Sequence, residues 1–332
     1  MNFWLRSSAA RPPEARYTAG DPDTRFAPYL HEGAMRLAVI PVTMSLLLVA
    51  ASEALACSQC MCGTPFPAGV FGGVVPTHVT YGLEDRYLSK SNALDEEPGM
   101  EDEREHRLAG FGLWRPHSRF ALLGRVPYVF KEITTTPEGQ PSSLERAHGF
   151  GDAELLAMIG VTQTNSTALG AVTGFTAPTG NNDLTDANGD RLDAHLQPGT
   201  GAWTGTCGLN LAMTSHSGSW ESSAVGRVNG TNAHGYHYGN VVLYNAGFTS
   251  PSRNGLRLML QLNGRSAGKD RLEDGTEGEN TGGTVVYVAP GIRWVSSLGL
   301  GLEAAVQIPA IQALYGIQTE RTTARLNLFM AH

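Results

Sequence analysis

The chain has little charge and no long apolar run. After its N-terminal segment no stretch of about 18 consecutive apolar residues occurs, so no helix of the kind a bilayer accepts is expected there. Only 17% of the 332 residues are Asp, Glu, Lys or Arg, the formal net charge is -7, and Lys and Arg form no cluster. That balance argues against nucleic acid as a partner. There is no GxSxG elbow, no HExxH zinc motif, no energy-coupling element and no cofactor signature, so an enzyme is not expected and no cofactor is expected. No Pro- or Ser-rich linker divides the chain after residue 76, which favours one domain.

Glycine is plentiful, with 40 residues, and the apolar residues come in alternation. The stretch Gly282 to Leu328 shows the pattern most clearly. Val286, Val288, Ile292 and Trp294 fall on one side of an extended segment, with Tyr287, Gly291 and Arg293 on the other; Leu298, Leu300, Leu302, Val306 and Ile308 then oppose Gly299, Gly301, Glu303 and Gln307. Each segment is about 10 residues, the length of a tilted strand that crosses a bilayer within a barrel.

The N-terminal part carries a different signal. Met35 to Ala56, MRLAVIPVTMSLLLVAASEALA, has one Arg, an apolar core and an AxA site, and reads as a secretory signal peptide over residues 35–56. Residues 1–34 lack periodicity and read as a start called too early or as a long, disordered extension. Residues 57–76 form a Cys/Gly/Pro-rich lead-in, expected in the periplasm near the mouth of a barrel. The cysteines are Cys57, Cys60, Cys62 and Cys207. Disulfide or inert packing is one reading; a soft metal held by Cys57, Cys60 and Cys62, or a periplasmic protein partner docked on Cys57 to Cys62, is the other.

From residue 77 to 332 about 12 strands follow: Thr77–Lys90, His106–Arg115, Arg119–Thr134, Ala153–Gln163, Ala168–Pro178, Trp203–Thr214, Trp220–Val228, Tyr238–Phe248, Leu256–Asn263 and three more in the closing stretch. Long and short connections alternate, the acidic stretch Asp95 to Glu105 and the stretch Pro137 to Gly149 being read as long loops. A soluble sandwich has no reason to put every long loop at one end. The expected fold is therefore all-β: a transmembrane antiparallel up-and-down β-barrel with short periplasmic turns and long external loops, in the outer membrane of a Gram-negative envelope. Tyr81, Phe130, Trp220 and Trp294 are candidates for the lipid interface, and outer-membrane lipid and lipopolysaccharide are the expected surroundings.

The polar faces place Glu84, Arg86, Arg125, Lys131, Glu154, Glu221, Arg227, Arg257, Arg293, Glu303, Arg321 and Arg325 in the lumen. They would line a pore or pair into a plug of ion pairs. Asp186, Asn188 and Asp190, within NNDLTDANGDRLD, are oxygen ligands at alternate positions and a candidate divalent-cation loop, although Arg191 replaces the turn glycine of an EF-hand. His234 and His237 are three apart and share a metal only if the chain turns there.

Five segments carry a resemblance: HGFGDAEL (His148 to Leu155), GFTAPTGN (Gly174 to Asn181), QPGTGAW (Gln197 to Trp203), TGGTVVYVAPGI (Thr281 to Ile292) and VQIPAIQALYGIQ (Val306 to Gln318). In this order they resemble the outer-membrane transporter family named for the MetA pathway of phenol degradation. The resemblance implies a β-barrel that passes small, often apolar or aromatic molecules across the outer membrane. Read physically, the motif glycines suit strand ends and barrel corners better than cargo contact, and Pro178 and Pro290 suit strand ends or bulges. The expected function is a passive channel or transporter for uptake or efflux of a small-molecule cargo. The alternative is an occluded structural barrel that anchors a metal- or redox-handling assembly through the cysteine cluster.

Overall fold

The computed structural model describes residues 78–94 and 98–332; residues 1–77, with the expected signal segment, the lead-in and Cys57, Cys60 and Cys62, lie outside the described residues. Fourteen strands follow: β1 (Val79–Ala93), β2 (Gly99–His117), β3 (Phe120–Pro137), β4 (Ser143–Phe150), β5 (Ala153–Gln163), β6 (Thr167–Ala177), β7 (Thr204–Ser215), β8 (Gly218–Asn229), β9 (Val241–Thr249), β10 (Leu256–Ala267), β11 (Gly283–Val295), β12 (Leu300–Leu314), β13 (Gln318–Glu320) and β14 (Thr323–Ala331). Neighbours in sequence pair antiparallel around the sheet, and β1 closes it by pairing with β2 on one side and with β13 and β14 on the other. Two barrel strands are broken. The upper half of β3 pairs with β4 and its lower half with β5, while β13 and β14 pair with the upper and lower parts of β1. The result is a closed antiparallel barrel of 12 strands with two extra segments.

Closure follows from the alternation. Along β10, Leu256, Leu258, Leu260 and Leu262 are exposed on the outside while Met259, Gln261, Asn263 and Arg265 are buried inside. An apolar exterior around a polar interior suits a closed sheet in lipid, where backbone groups find partners only within the protein. Tyr81, Phe130, Trp220 and Trp294 are all exposed on that exterior. Trp220 packs on Phe248 near the short-turn end, and Phe130 packs on Tyr128 nearer the other. On β3 the ten steps from Phe120 to Phe130 rise ~34 Å along the strand and, tilted ~40°, ~25 Å along the axis, the height of a lipid-facing band.

Several boundaries depart from the sequence expectation. The acidic stretch is not a loop beyond Pro98: β2 begins at Gly99 and carries Glu103 and Glu105 on its inner face. It shows no hydropathy alternation, since residues 101–105 are all charged and the inner face there meets Lys90 and Lys131 instead of apolar groups. Half of the stretch Pro137 to Gly149 is β4, and Tyr238 precedes β9 as part of a loop. Among the described residues, long connections at the loop end therefore number three: residues 178–203, 230–240 and 268–282. Pro178 follows β6. Pro290 sits within β11, close to the register shift between Val286 and Tyr287, where a missing donor is tolerated.

Replacing Leu262 on the outer face with Arg is expected to lower unfolding stability in lipid by about 2–4 kcal/mol, as for charges near the midplane of other barrels. Urea unfolding in vesicles measures it, and an unchanged midpoint would contradict a lipid-facing wall.

Candidate permeation pathway

Inside the barrel the side chains lie in three tiers. Nearest the short turns, Phe111, Leu113, Leu123, Leu156, Met158, Val172 and Phe329 project inward and form one apolar cluster. This end of the lumen is packed like a protein core.

Above it lies a belt of charge. Glu84 meets Arg86 Nε at 2.7 Å and Arg125 at 3.9 Å; Glu154 accepts from Arg125 Nη1 at 2.9 Å and Arg227 Nη1 at 3.3 Å. In the same row, beyond Asn327 of the intervening β14, Glu303 accepts from Arg293 Nε at 2.8 Å and Arg325 Nη2 at 2.8 Å. Five guanidinium groups thus face three carboxylates, so the belt is electropositive. Arg257 stands on the same inner face at half burial, nearer the short turns, and Glu221 is likewise half-buried on an inward position of β8.

A second set of charges sits higher. Lys90 pairs with Glu103 at 2.9 Å, Arg107 with Glu105 at 2.8 Å, Lys131 with Glu105 at 3.5 Å, and Arg265 with Glu320, which also accepts from the Tyr287 hydroxyl at 3.0 Å. Lys90, Glu103, Glu105, Arg107, Arg265 and Glu320 were absent from the sequence-based lumen set. From Glu101 to Glu105 the sequence carries no period-two signal, because every position is charged. Arg321 is a correction: it is exposed on the outside of the barrel, bonded to Asp102 and Ser91 at 2.6 Å, because the break between β13 and β14 takes it off the inner face. Among the sequence-based lumen positions, Lys131 is held by a loop as well as by a strand, donating to the His195 carbonyl at 2.5 Å.

That bond marks the third tier, in which the long loops turn into the outer mouth. Leu192 and Leu196 pack on the inward residues Ile133 and Ala147, and Ala194 packs with Tyr236, Tyr238, Val241 and Leu243. Tyr238 donates to the Ala194 carbonyl at 2.8 Å, and Tyr236 donates to Asp270 at 2.8 Å, so all three loops are tied together. Gln197, fully buried, accepts from the Leu184 amide at 2.9 Å and donates to the carbonyls of Leu184 and Leu192 at 3.0 Å.

Three of the glycine-rich motifs meet where the first loop leaves the wall. Asp152, in the break between β4 and β5, accepts from the amides of Gly180 at 2.9 Å and Thr200 at 2.7 Å and from the Thr200 hydroxyl at 2.6 Å. Asn181 Oδ1 accepts from the Phe150 amide at 3.0 Å. A Cβ on Gly180 would lie 2.6 Å from the Gly151 carbonyl carbon and 2.8 Å from Gly199 Cα, so only glycine fits. These motifs are an anchor for the loop.

The loop tips share one form. Thr185 bridges Arg191, Thr231 bridges His237 and Arg271 bridges Glu277, each across a tip whose Gly189, Gly235 or Gly275 has φ near +90° (+93°, +87° and +88°). Asp186 spends its carboxylate within its own tip, accepting from the amides of Asn188 at 2.8 Å and Asp190 at 2.9 Å and from the Asn188 side chain at 3.1 Å. Desolvation pushes its pKa up, but these hydrogen bonds together outweigh it and hold the carboxyl below the usual range. The sequences TNAHGYH and RLEDGTE adopt the same form with other side chains, so turn chemistry rather than a cation explains Asp186, Asn188 and Asp190. Among the described residues no three His, Cys, Asp or Glu are grouped to hold a metal ion. His234 meets Asp183 at 2.5 Å and His237 meets Thr231 at 3.4 Å, so the two imidazoles have separate partners. Cys207 is a free thiol exposed on the outer side of β7.

Gly180→Ala is expected to release the loop 178–203: tryptic cleavage at Arg191 should rise by roughly tenfold or more, as for ~1.4 kcal/mol of easier local opening, with strand content by circular dichroism unchanged. Because the Asp186 carboxyl is depressed, its contribution to the first tip is expected to be whole at pH 7 and lost only as pH falls through that lowered pKa. Amide exchange at Asn188 and Asp190 measures it.

Comparison with known proteins agrees with this architecture. The model of the family described as "Putative MetA-pathway of phenol degradation" matches residues 108–310. No curated protein matches by sequence. Among solved structures, the COG4313 outer membrane channel from Pseudomonas putida F1 is similar at 15% identity and a TM-score of 0.57, over 80% of this chain and 100% of that one. The transport unit of the autotransporter AIDA-I from Escherichia coli is similar at 11% identity and a TM-score of 0.52, over 89% and 98%. With a family match across more than half of its length and an outer-membrane barrel fold, the chain belongs to the MetA-pathway of phenol degradation family.

Proposed function

We propose that the barrel is a passive outer-membrane channel for a small molecule that has an apolar or aromatic body and a negatively charged group. The observation that carries this reading is the belt, in which Arg86, Arg125, Arg227, Arg293 and Arg325 outnumber Glu84, Glu154 and Glu303. A barrel whose only task was to anchor something would gain by filling its middle with apolar side chains, as its lower tier does. Buried ions in that place are a cost that a pathway for charge explains. The excess of guanidinium favours an anion. The apolar tier below and the Tyr236 and Tyr238 rings above suit the body of the same solute. The similarity in fold to the Pseudomonas putida outer membrane channel supports the same class of activity.

In this reading the tucked loops are the gate on the outer side. A solute passes when the segment 184–196 swings off Ile133 and Ala147, and the Lys131 bond to His195 breaks with it. The side chains of the belt then exchange partners among themselves rather than lose them, because each carboxylate has two guanidinium neighbours.

The test is reconstitution in planar bilayers and liposomes. The reversal potential in a salt gradient is expected to report anion preference, benzoate is expected to enter faster than benzylammonium of similar size, and deletion of residues 184–196 is expected to raise both conductance and flux. Arg227→Gln, which leaves Glu154 paired with Arg125, is expected to reduce the anion preference without unfolding the barrel. Equal flux of the two aromatics, or cation preference, would overturn the anionic cargo. No conductance from either the full chain or the deletion would leave the anchoring role through Cys57, Cys60 and Cys62 in its place.

A further inference from the structure

We infer that the outer face of β2, β3 and β4 binds the phosphorylated headgroup of the outer-leaflet glycolipid, through Arg104 and Arg146. Cross-strand register stacks the outward side chains there in rows. Leu108, Tyr128 and Phe150 lie side by side; one row higher come His106, Phe130 and His148; the next row is Arg104, Glu132 and Arg146. The two lower rows are a continuous aromatic surface. Tyr128 packs on Phe130 at 5.0 Å and on Phe150 at 5.2 Å, and Phe130 stacks on His148 at 6.3 Å. Aromatic side chains in such a position mark the boundary between acyl chains and headgroups. The row above them is therefore at headgroup height.

At that height the wall presents partly committed cations. Arg146 Nε meets Glu132 at 2.9 Å and Arg104 Nη1 meets the same carboxylate at 3.7 Å, yet their side chains are 68% and 56% exposed against 29% for Glu132. One carboxylate is shared by two guanidiniums, so most of their fixed, planar donors point outward. That geometry suits a phosphate oxygen pair. The acid groups nearby are engaged: Asp102, a row higher, is bonded by Arg321, and Asp85, lower on the face, lies 3.9 Å from His106. The chemistry that fits is an amphiphile with its chains on Tyr128, Phe130 and Phe150 and a phosphate on the arginines. The lipid A moiety of lipopolysaccharide is the source of such a molecule in the leaflet this face meets.

The test uses the full chain purified in detergent, with hexa-acylated, bis-phosphorylated lipid A as probe, the same lipid without its phosphates as control, and native mass spectrometry as readout. Binding to the phosphorylated lipid is expected to exceed binding to the control by about tenfold or more, and Arg104→Gln with Arg146→Gln to remove that preference, in keeping with loss of charge-assisted bonds. Glu132→Gln separates binding from a structural ion pair, since it frees both guanidiniums and is expected to tighten binding. The inference is overturned if the two lipids bind alike, if the double variant keeps the preference while migrating as a folded barrel, or if Glu132→Gln weakens binding.

Discussion

A polypeptide in hydrocarbon has to satisfy its backbone donors and acceptors from its own chain, and here a single strand completes that requirement. β1 pairs with β2 along its whole length and with β13 and β14 on the opposite edge, so the sheet has no free border through the membrane. Everything else about the chain is arranged within that ring. The outer residues are chosen for lipid, the inner ones for each other, and the period of two makes the choice strict: a slip of one residue in β11 would turn Arg293 into the bilayer and Trp294 into the lumen, and one in β12 would turn Glu303 outward.

Because twelve strands enclose a narrow space, the lumen is a filled interior whose filling changes along the axis. Apolar packing at the short-turn end is self-sufficient. The belt is stable only as a set, since each buried ion requires a partner and Glu154 and Glu303 serve two arginines each. The loops close the outer end by a third means, with side-chain hydrogen bonds from Tyr236, Tyr238 and Gln197 to acceptors in the loops. A charged middle between two apolar ends is the feature that separates this interior from an ordinary core.

The glycine-rich motifs show why short signatures of this kind are easily misjudged. HGFGDAEL, GFTAPTGN and QPGTGAW are separated in sequence, yet Gly151, Gly180 and Gly199 lie against one another with Asp152 bonding across them. Their backbones approach closer than any side chain allows. The physical role is to turn the chain from the wall into the mouth, at the position where β4 and β5 break.

Much of the fold was legible in the residues because hydropathy alternation is a local property: the order of the strands, the direction of Leu256 to Leu262 and the inward placement of Arg125 and Arg293 follow from the pleat alone. The charged run from Glu101 to Glu105 reads as a loop in the sequence, because a carboxylate looks solvated until its partner on another strand is known. Period-two counting puts Arg321 in the lumen, but the strand breaks between Glu320 and Thr323 and the count fails there. The sequence by itself determined a barrel with an apolar exterior, since each strand carries that information within about ten residues. Only the tertiary structure decided what fills the interior and closes the mouth, because those contacts join Lys131 to His195, Ala194 to Tyr238 and Gly151 to Gly180, pairs whose proximity exists only after the sheet has closed.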